Sequence, residues 1–433
     1  MRKQTVFLAI LALLLTLSAG ALAAQYQTKA LPNGTVEITK YSGKETKLEV
    51  PAKIGGKAVS SIGEEAFYDC DGLITVILPD GLEKIGKGAF LGCENLERIR
   101  IPSSVSYIGD KAFRHCKNLK RFSFPAKEKS VRQEVFAYCS SLKEIVIPEG
   151  VQTIGYDAFY GCTHLTRVAL PDSVEYLGLN PFASCPVLAE ITVSPAHPSL
   201  EVKDGALLDK TARRLISYLP STGIQVYKVP EGTEEIVEKA FYSCKDLTEI
   251  IIPDSVRKIG RYAFSSCEGL IKLDLPAALE SIPGDMASYC YALETVSFPD
   301  GIRSIGGSSF HNCKALKRVF IPDCVTKIES SAFHSCTGMT EIRLPKGIQK
   351  LENSILSNCQ SLVSVVIPDS VTEMSHEVFR GCVSLETLAI PPNVEKFGKN
   401  IFQKCTNLTV SVCRGTPAEE YCKKNNISFA YAD

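Results

Sequence analysis

A phenylalanine and a cysteine return together every 23 residues: AFYDC at 66–70, AFLGC at 89–93, AFRHC at 112–116, and onward to IFQKC at 401–405. Fourteen such pentads occur, a few with Phe replaced, as in MASYC at 286–290 and ILSNC at 355–359. A fixed period of this size marks a stacked repeat, because one unit cannot bury its apolar side alone. The repeat overrides length as a guide, since 433 residues would otherwise suggest two or three globular domains.

Aligned on the cysteines, the copies share a longer pattern. Three residues after each Cys stands Leu, or Met at 339. Two apolar residues follow with one residue between them, usually ending at Pro. Then V-x-x-I-G leads back to A-F-x-x-C. The I-x-[IL] alternation has the period of a strand, and its apolar side chains share one face. Proline cannot continue the ladder and stops each strand after three or four residues. The Ile-Gly pair suits a tight or left-handed turn. Strands stacked in register lie about 4.8 Å apart, so fourteen coils predict one repeat solenoid roughly 65 Å long, placed at residues 61–412.

The ends depart from the pattern. MRKQTVFLAILALLLTLSAGALAAQ has Arg2 and Lys3, an apolar core at 6–17 and small residues at Ala21 and Ala23. It reads as a secretory signal peptide at 1–23, with an uncleaved anchor as the alternative. No second apolar stretch approaches the ~20 residues of a membrane span. Residues 24–60 alternate in two segments around Ser42-Gly43, which predicts a hairpin capping the first coil. Residues 413–433 predict a closing cap with a helix at 417–424. There Thr416 is placed as N-cap, Pro417 as first helical residue, Glu419 and Glu420 in the first turn, and Lys423 and Lys424 in the last. Cys244 follows Cys185 by 59 positions, one repeat plus 36. The extra segment, 194–228, alternates around Asp204-Gly205 and again at 209–213, as a projecting two- or three-stranded ribbon would. It is either a tolerated decoration or part of a binding face.

The template L-x-x-I-x-[IL]-P-x-x-V-x-x-I-G-x-x-A-F-x-x-C resembles the leucine-rich repeats of the BspA type, first described in treponemal and oral bacterial surface proteins. The resemblance covers residues from about 35 to 425. It implies a leucine-rich repeat arc with short parallel strands on the concave side and irregular or short helical turns on the convex side. It further implies a β cap at the start, insertions of the kind at 194–228, and attachment to extracellular matrix proteins and to other bacteria.

Seventeen cysteines in a secreted chain invite a disulfide framework. Fourteen of them share one column: Cys70, Cys93, Cys116, Cys139, Cys162, Cys185, Cys244, Cys267, Cys290, Cys313, Cys336, Cys359, Cys382 and Cys405. Stacked neighbours hold their Cβ atoms ~4.8 Å apart, whereas a disulfide wants about 3.8 Å. The column is therefore expected to be buried free thiols that pack as small hydrophobes. Free thiols outside the cytoplasm would suit a low-oxygen habitat. Cys324 replaces the Ser of the IPDSV copies and is expected to be exposed. Cys413 and Cys422 flank the closing helix, and a bridge between them is left open.

Nothing in the sequence has a catalytic spacing: G-x-S-x-G, H-E-x-x-H, a phosphate loop and C-x-x-C are all absent. The reading is accordingly not an enzyme, with no cofactor. His311 and His334 share a column and are either a metal pair or solvated. Asn33, Asn407 and Asn426 begin N-x-[ST] sequons, which matter only where the host glycosylates them. The absence of net charge argues against a dedicated nucleic-acid binder.

What the repeat offers is a ruled surface. The outward strand positions lie five and seven residues after each Cys. In the first half they collect Arg98, Arg100, Arg121 and Arg167, with Lys120 and Lys143 nearby. In the second half they collect Arg318, Phe320 and Arg343. Arg and aromatic residues are enriched at interface centres, although a solvated charged face would look the same. The turn side is the rival face, through Tyr68, Arg114, Tyr160, Tyr242, His311, His334 and Arg380. The functional expectation is a secreted or cell-surface protein with adhesin-like binding to a protein or glycan ligand, at a cell surface or in the extracellular matrix. The alternative is a structural scaffold of the cell envelope or periplasm. Neither expects nucleic acid or a membrane span after signal cleavage, and the oligomeric state stays open.

Overall fold

The computed structural model describes residues 25–220 and 223–432. The signal segment expected at 1–23 lies outside the described residues. The chain gathers into two compact units, one ending at Pro198 and one beginning at Ser199. Each unit is a stack of leucine-rich repeat coils.

Within a unit, each coil is tied to the next along three lines. The first is the expected three-residue strand: Thr75–Ile77 pairs in parallel with Arg98–Arg100, so that Val76 sits beside Ile99, 23 residues on. The second is a two-residue strand ending at the Ile of Ile-Gly, as in Lys84–Ile85 beside Tyr107–Ile108. The third runs through the A-F-x-x-C turn, where backbone N–H groups donate forward: Phe67 to the Ala89 carbonyl at 2.8 Å, Phe90 to Ala112 at 2.8 Å, Phe136 to Ala158 at 2.9 Å.

That third line depends on two left-handed residues per coil, the one before Ala-Phe and the one before Cys. Lys111 and His115 have φ of 59° and 62°, and Ser331 and Ser335 have 61° and 60°. The glycine of Ile-Gly, expected in that role, is not left-handed. It is there for close approach: a Cβ on Gly109 would lie 2.5 Å from the Lys87 nitrogen, and one on Gly155 2.6 Å from that of Gln133.

The core is a set of columns. Phe67, Phe90, Phe113, Phe136, Phe159 and Phe182 stack with successive centroid spacings of 4.9, 5.5, 5.8, 5.5 and 5.6 Å. The Leu column from Leu73 to Leu188 is buried beside them. Burial of each such side chain contributes roughly 1.5–3 kcal/mol. In the second unit the stack is interrupted where Ala287 and Leu356 take the Phe position. Beside the first gap, Phe298 lies edge-on to Phe310 at 5.8 Å.

The first cap differs from the expected hairpin. Tyr26–Ala30 runs antiparallel to Val36–Tyr41, so the reversal is at residues 31–35 and not at Ser42-Gly43. Gly34 (φ 83°) and the Asn33 side chain, which accepts from the Thr35 N–H at 3.1 Å, make that turn. The second alternating segment, Lys47–Glu49, instead joins the three-residue ladder beside Thr75–Ile77.

The inserted segment does not project. Leu200–Lys203, Ala206–Asp209 and Arg214–Tyr218 form an antiparallel meander, and its last strand pairs in parallel with Glu235–Ile236. Ala206, Leu207, Leu215 and Ile216 are buried. It repeats the first cap in detail. The Tyr41 N–H donates to the Ala66 carbonyl at 2.8 Å and its ring lies 5.0 Å from Phe67. The Tyr218 N–H donates to the Ala240 carbonyl at 2.9 Å and its ring lies 5.4 Å from Phe241. Each tyrosine heads a phenylalanine stack, so this segment is the N-terminal cap of the second unit.

At the far end the helix spans Pro417–Lys424, as expected, and Tyr421 stacks on Phe397 at 4.8 Å. Thr416 holds the N-cap position without capping by its side chain: its hydroxyl donates to the Cys413 carbonyl at 2.7 Å. The Glu419 carboxylate reaches back instead and accepts the Gly415 N–H at 2.7 Å.

The three-residue ladder of the first unit is broken at residues 121–125, between Arg98–Arg100 and Glu144–Val146. The same coil carries two exchanges against the repeat, Glu128 for the usual Val and Arg132 for the usual Gly. Glu128 is only 2% exposed. Its carboxylate accepts from the N–H groups of Ile108, Lys129 and Ser130 at 2.5, 3.0 and 3.0 Å, and from Arg132 Nη1 at 3.1 Å. Arg132 also donates to the Ile108 carbonyl at 2.8 Å and lies 4.0 Å from the Tyr107 ring centroid. A buried pair is costly to break and nearly neutral to replace as a whole. Glu128→Ala is therefore expected to lower unfolding free energy by about 3–5 kcal/mol. Restoring the repeat's own residues with Glu128→Val and Arg132→Gly together should recover most of that loss. Urea unfolding of the single and double variants checks this, and a double variant as unstable as the single would refute it.

Candidate binding faces and the thiol column

The outward strand residues do form rows. Register places Arg318, Glu341 and Ser364 in one line and Phe320, Arg343 and Val366 in the next. Phe320 is 53% and Val366 78% exposed. The basic patch expected in the first unit is partly neutralised by its neighbours. Arg100 meets Asp80 at 3.4 Å, Lys120 meets Glu97 at 2.8 Å and Arg167 meets Glu144 at 2.9 Å. In the second unit Arg343 meets Asp323 at 3.2 Å. Stacking at 23 residues brings a carboxylate of one coil under a cation of the next. Among the described residues Arg98, Arg121 and Arg318 form no ion pair, and Arg121 stands in the stretch without strand. Exposed pairs of this kind are worth about 0–1 kcal/mol each, so a ligand can redirect them.

The cysteine column is buried, but packing is not its whole role. Each thiol donates to the carbonyl of the Phe position 26 residues earlier: Cys93 to Phe67 at 3.0 Å, Cys139 to Phe113 at 3.2 Å, Cys267 to Phe241 at 3.0 Å, Cys405 to Phe379 at 3.0 Å. Where Ala287 and Leu356 replace Phe, the bond persists, from Cys313 and Cys382 at 3.2 Å each. The same carbonyl already accepts the N–H of its own coil's Cys, as Phe113 does from Cys116 at 3.1 Å. The thiol takes the second lone pair. Cys70 and Cys244, which open the two units, have no earlier coil and make no such bond.

All seventeen cysteines are free, so Cys413 and Cys422 are not bridged. Cys422 is buried in the closing helix, while Cys413 and Cys324 are half-buried. Cys324 is thus less exposed than its sequence position suggested. Burial pushes the column thiols up, to about 12 for Cys185, Cys267 and Cys336.

On the turn face His311 and His334 are not simply solvated. Their rings stack at 4.8 Å with Nδ1 atoms 3.0 Å apart. Asn312 and Asn358 contact their outer nitrogens at 3.0 and 3.1 Å. Burial lowers both imidazoles from their ordinary value, favouring the neutral pair. Among the described residues no group of three or more His, Cys, Asp or Glu is placed to hold a metal. Arg380 pairs with Glu377 at 3.3 Å, and Tyr160 lies edge-on to Tyr138 at 5.2 Å. Sequence columns passed over His115 and Tyr138, which sit in the left-handed position before Cys. A bulky ring there, where Ser, Asn or Gly serves in most other coils, was the available signal.

The raised thiols give a sign to the pH dependence. The folded state keeps its thiol protons at pH values where the unfolded chain, with thiols near the usual ~8.5, has lost them. That stability is complete below the unfolded value and drains away as pH climbs toward 12. Thermal melts between about pH 8 and 11 should show a steady fall in Tm. In parallel, a thiol reagent at neutral pH should reach Cys324, Cys413 and the end positions Cys70 and Cys405, all half-buried. The fully buried thiols should react only on unfolding; native reaction of all seventeen would contradict the burial.

Comparison with known proteins agrees with this architecture. Residues 60–189, 219–339 and 281–409 match the family described as BspA type leucine rich repeat region, with six copies. A leucine-rich repeat protein from Bacteroides ovatus ATCC 8483 is 29% identical, over 94% of this chain and 98% of its own, with a TM-score of 0.54. A protein of Faecalibacterium prausnitzii A2-165 described as a leucine rich cell surface protein is 30% identical, over 79% of this chain and 92% of its own, with a TM-score of 0.57. A leucine-rich repeat protein from Eubacterium ventriosum ATCC 27560, 22% identical over 83% of this chain and 93% of its own, shares the fold with a TM-score of 0.67. No curated protein matches the sequence. No helix among the described residues is long and apolar enough to cross a membrane. The chain belongs to the BspA-type leucine-rich repeat family.

Proposed function

We propose that this is a non-catalytic binding protein that takes a protein ligand on the exposed rows of its three-residue ladders, at a cell surface or outside the cell. The carrying observation is the row in the second unit, where Arg318 stands without an ion pair and Phe320 and Val366 are exposed beside Arg343; in the first unit Arg98, on its own ladder, and Arg121, in the stretch without strand, are likewise unpaired. Cations and an aromatic on a rigid ladder suit the centre of an interface. The signal-like segment at 1–23 and the likeness to a relative described as a cell surface protein support the location. Binding to host matrix or to other cells belongs to this reading. A scaffold of the envelope is the second reading, favoured by the coil-to-coil ion pairs that leave few charges for a partner.

Replacing Arg98, Arg121 and Arg318 together by Glu is expected to weaken capture of a surface or matrix protein on the order of tenfold or more. The melting temperature should not change, because these side chains are exposed. Binding measured against immobilised matrix proteins and surface extracts decides the matter. Unchanged capture removes the ladder face from the proposal, and binding confined to envelope fractions favours the scaffold.

A further inference from the structure

The turn face of the first unit carries a groove unlike the rest of the repeat. The position before Cys is left-handed in every coil, and most coils fill it with Ser, Asn, Asp or Gly. His115 (φ 62°) and Tyr138 (φ 63°) are exceptions in consecutive coils. A bulky side chain in that conformation is disfavoured, and such outliers concentrate at binding sites. The two rings stack at 4.4 Å with only 4° between their planes. On one side stands Gly92, which has no side chain to cover the imidazole, and beyond it Tyr68, 52% exposed. Glu94 and Lys117 complete the rim of the groove.

Three features select the ligand class. First, the charges are internally matched. Lys117 meets Glu94 at 2.6 Å, and Arg114, over the Tyr138 ring at 5.4 Å, is ion-paired with Glu134. No unmatched cation waits for an anionic ligand. Second, the backbone N–H groups along the ring column are already engaged. The N–H groups of Asp69, Gly92, His115, Tyr138 and Gly161 all donate to the next coil, at 2.6–3.1 Å. An extended peptide would find no edge to pair with. Third, what is left is aromatic surface bordered by hydroxyls and paired polar groups. A sugar ring fits that combination, with C–H groups on one face and hydroxyls around its edge.

We infer that this groove, centred on His115 and Tyr138 between Gly92 and Gly161, binds a neutral oligosaccharide. The inference rests on the reading of the chain as a binding protein and adds to it a second, separate face. Recognition is by side chains: the rings supply the platform, and Lys117 and Glu94, paired with each other, and Arg114, paired with Glu134, exchange part of those contacts for sugar hydroxyls.

The test uses the full chain and an array of neutral linear hexasaccharides built from glucose, galactose, mannose, xylose or N-acetylglucosamine, with hexagalacturonate as the acidic comparison. Positive sugars are then titrated by calorimetry. His115→Ser and Tyr138→Asn introduce residue types that occupy the same left-handed position in other coils, such as Ser184 and Asn358, so the fold is kept and melting confirms it. The expected result is binding of at least one neutral hexasaccharide, lost tenfold or more in the double variant and retained when Arg98, Arg121 and Arg318 are Glu. Binding of no neutral sugar, preference for the acidic one, or equal binding by the double variant overturns the inference. Any of these leaves the ladder-face reading standing, because that reading is tested on a different face with a protein ligand.

Discussion

The fold rests on the hydrogen bonds that run forward from one A-F-x-x-C turn to the next. A turn five residues long would ordinarily direct its polar groups in several directions. Here two left-handed residues per coil, such as Lys111 and His115, aim the N–H groups of 111, 113 and 115 at the following coil. The Phe carbonyl is left pointing inward among apolar rings. It accepts one bond from the Cys N–H of its own coil, as Phe113 does from Cys116 at 3.1 Å, which leaves its second lone pair buried in every coil. The cysteine thiol of the following coil meets it at 3.0–3.3 Å. Cysteine suits the position because it is small and apolar enough to be buried beside Phe and Leu, yet carries a donor. The Phe stack, the two strand lines and the spacing of the surface rows follow from that register.

Much of this was legible in the sequence. The 23-residue period located each coil, the I-x-[IL]-P run located its strand, and Pro417 with its flanking charges located the closing helix. The left-handed positions were hidden because Glu, Lys, Tyr and His occupy them as well as Ser and Asn, so composition carries no clear mark. The glycine after Ile was visible but its reason was not: only the coil beneath shows that a Cβ would meet backbone. The second cap was hidden because an alternating pattern looks the same in a ribbon that projects and in one that covers a core. Its marker, a tyrosine heading a phenylalanine stack, becomes visible only when Tyr218 is set beside Tyr41.

The surface shows the same division. Pairs offset by one period, such as Arg167 with Glu144, can be read from the alignment of columns. Pairs that cross from the strand to the turn after it, such as Arg100 with Asp80, cannot. The patch of arginines therefore looked more basic than it is. The compensated exchange at Glu128 and Arg132 is similar: each residue alone contradicts the repeat, and only their contact explains both. Two faces then remain with side chains free to act, the ladder rows and the aromatic groove of the first unit. One offers cations and exposed apolar groups to a protein, the other neutral aromatic surface to a sugar.

The most direct measurement is the infrared S–H stretching band of the folded protein, set against that of an alkanethiol in an apolar solvent. Buried thiols that donate to carbonyls should place the main band on the low-frequency, hydrogen-bonded side, and Cys162→Ala should remove intensity from that band. A folded-state band at the apolar-solvent position would mean that the thiols only fill space, and that the Phe carbonyls accept only the Cys N–H of their own coil.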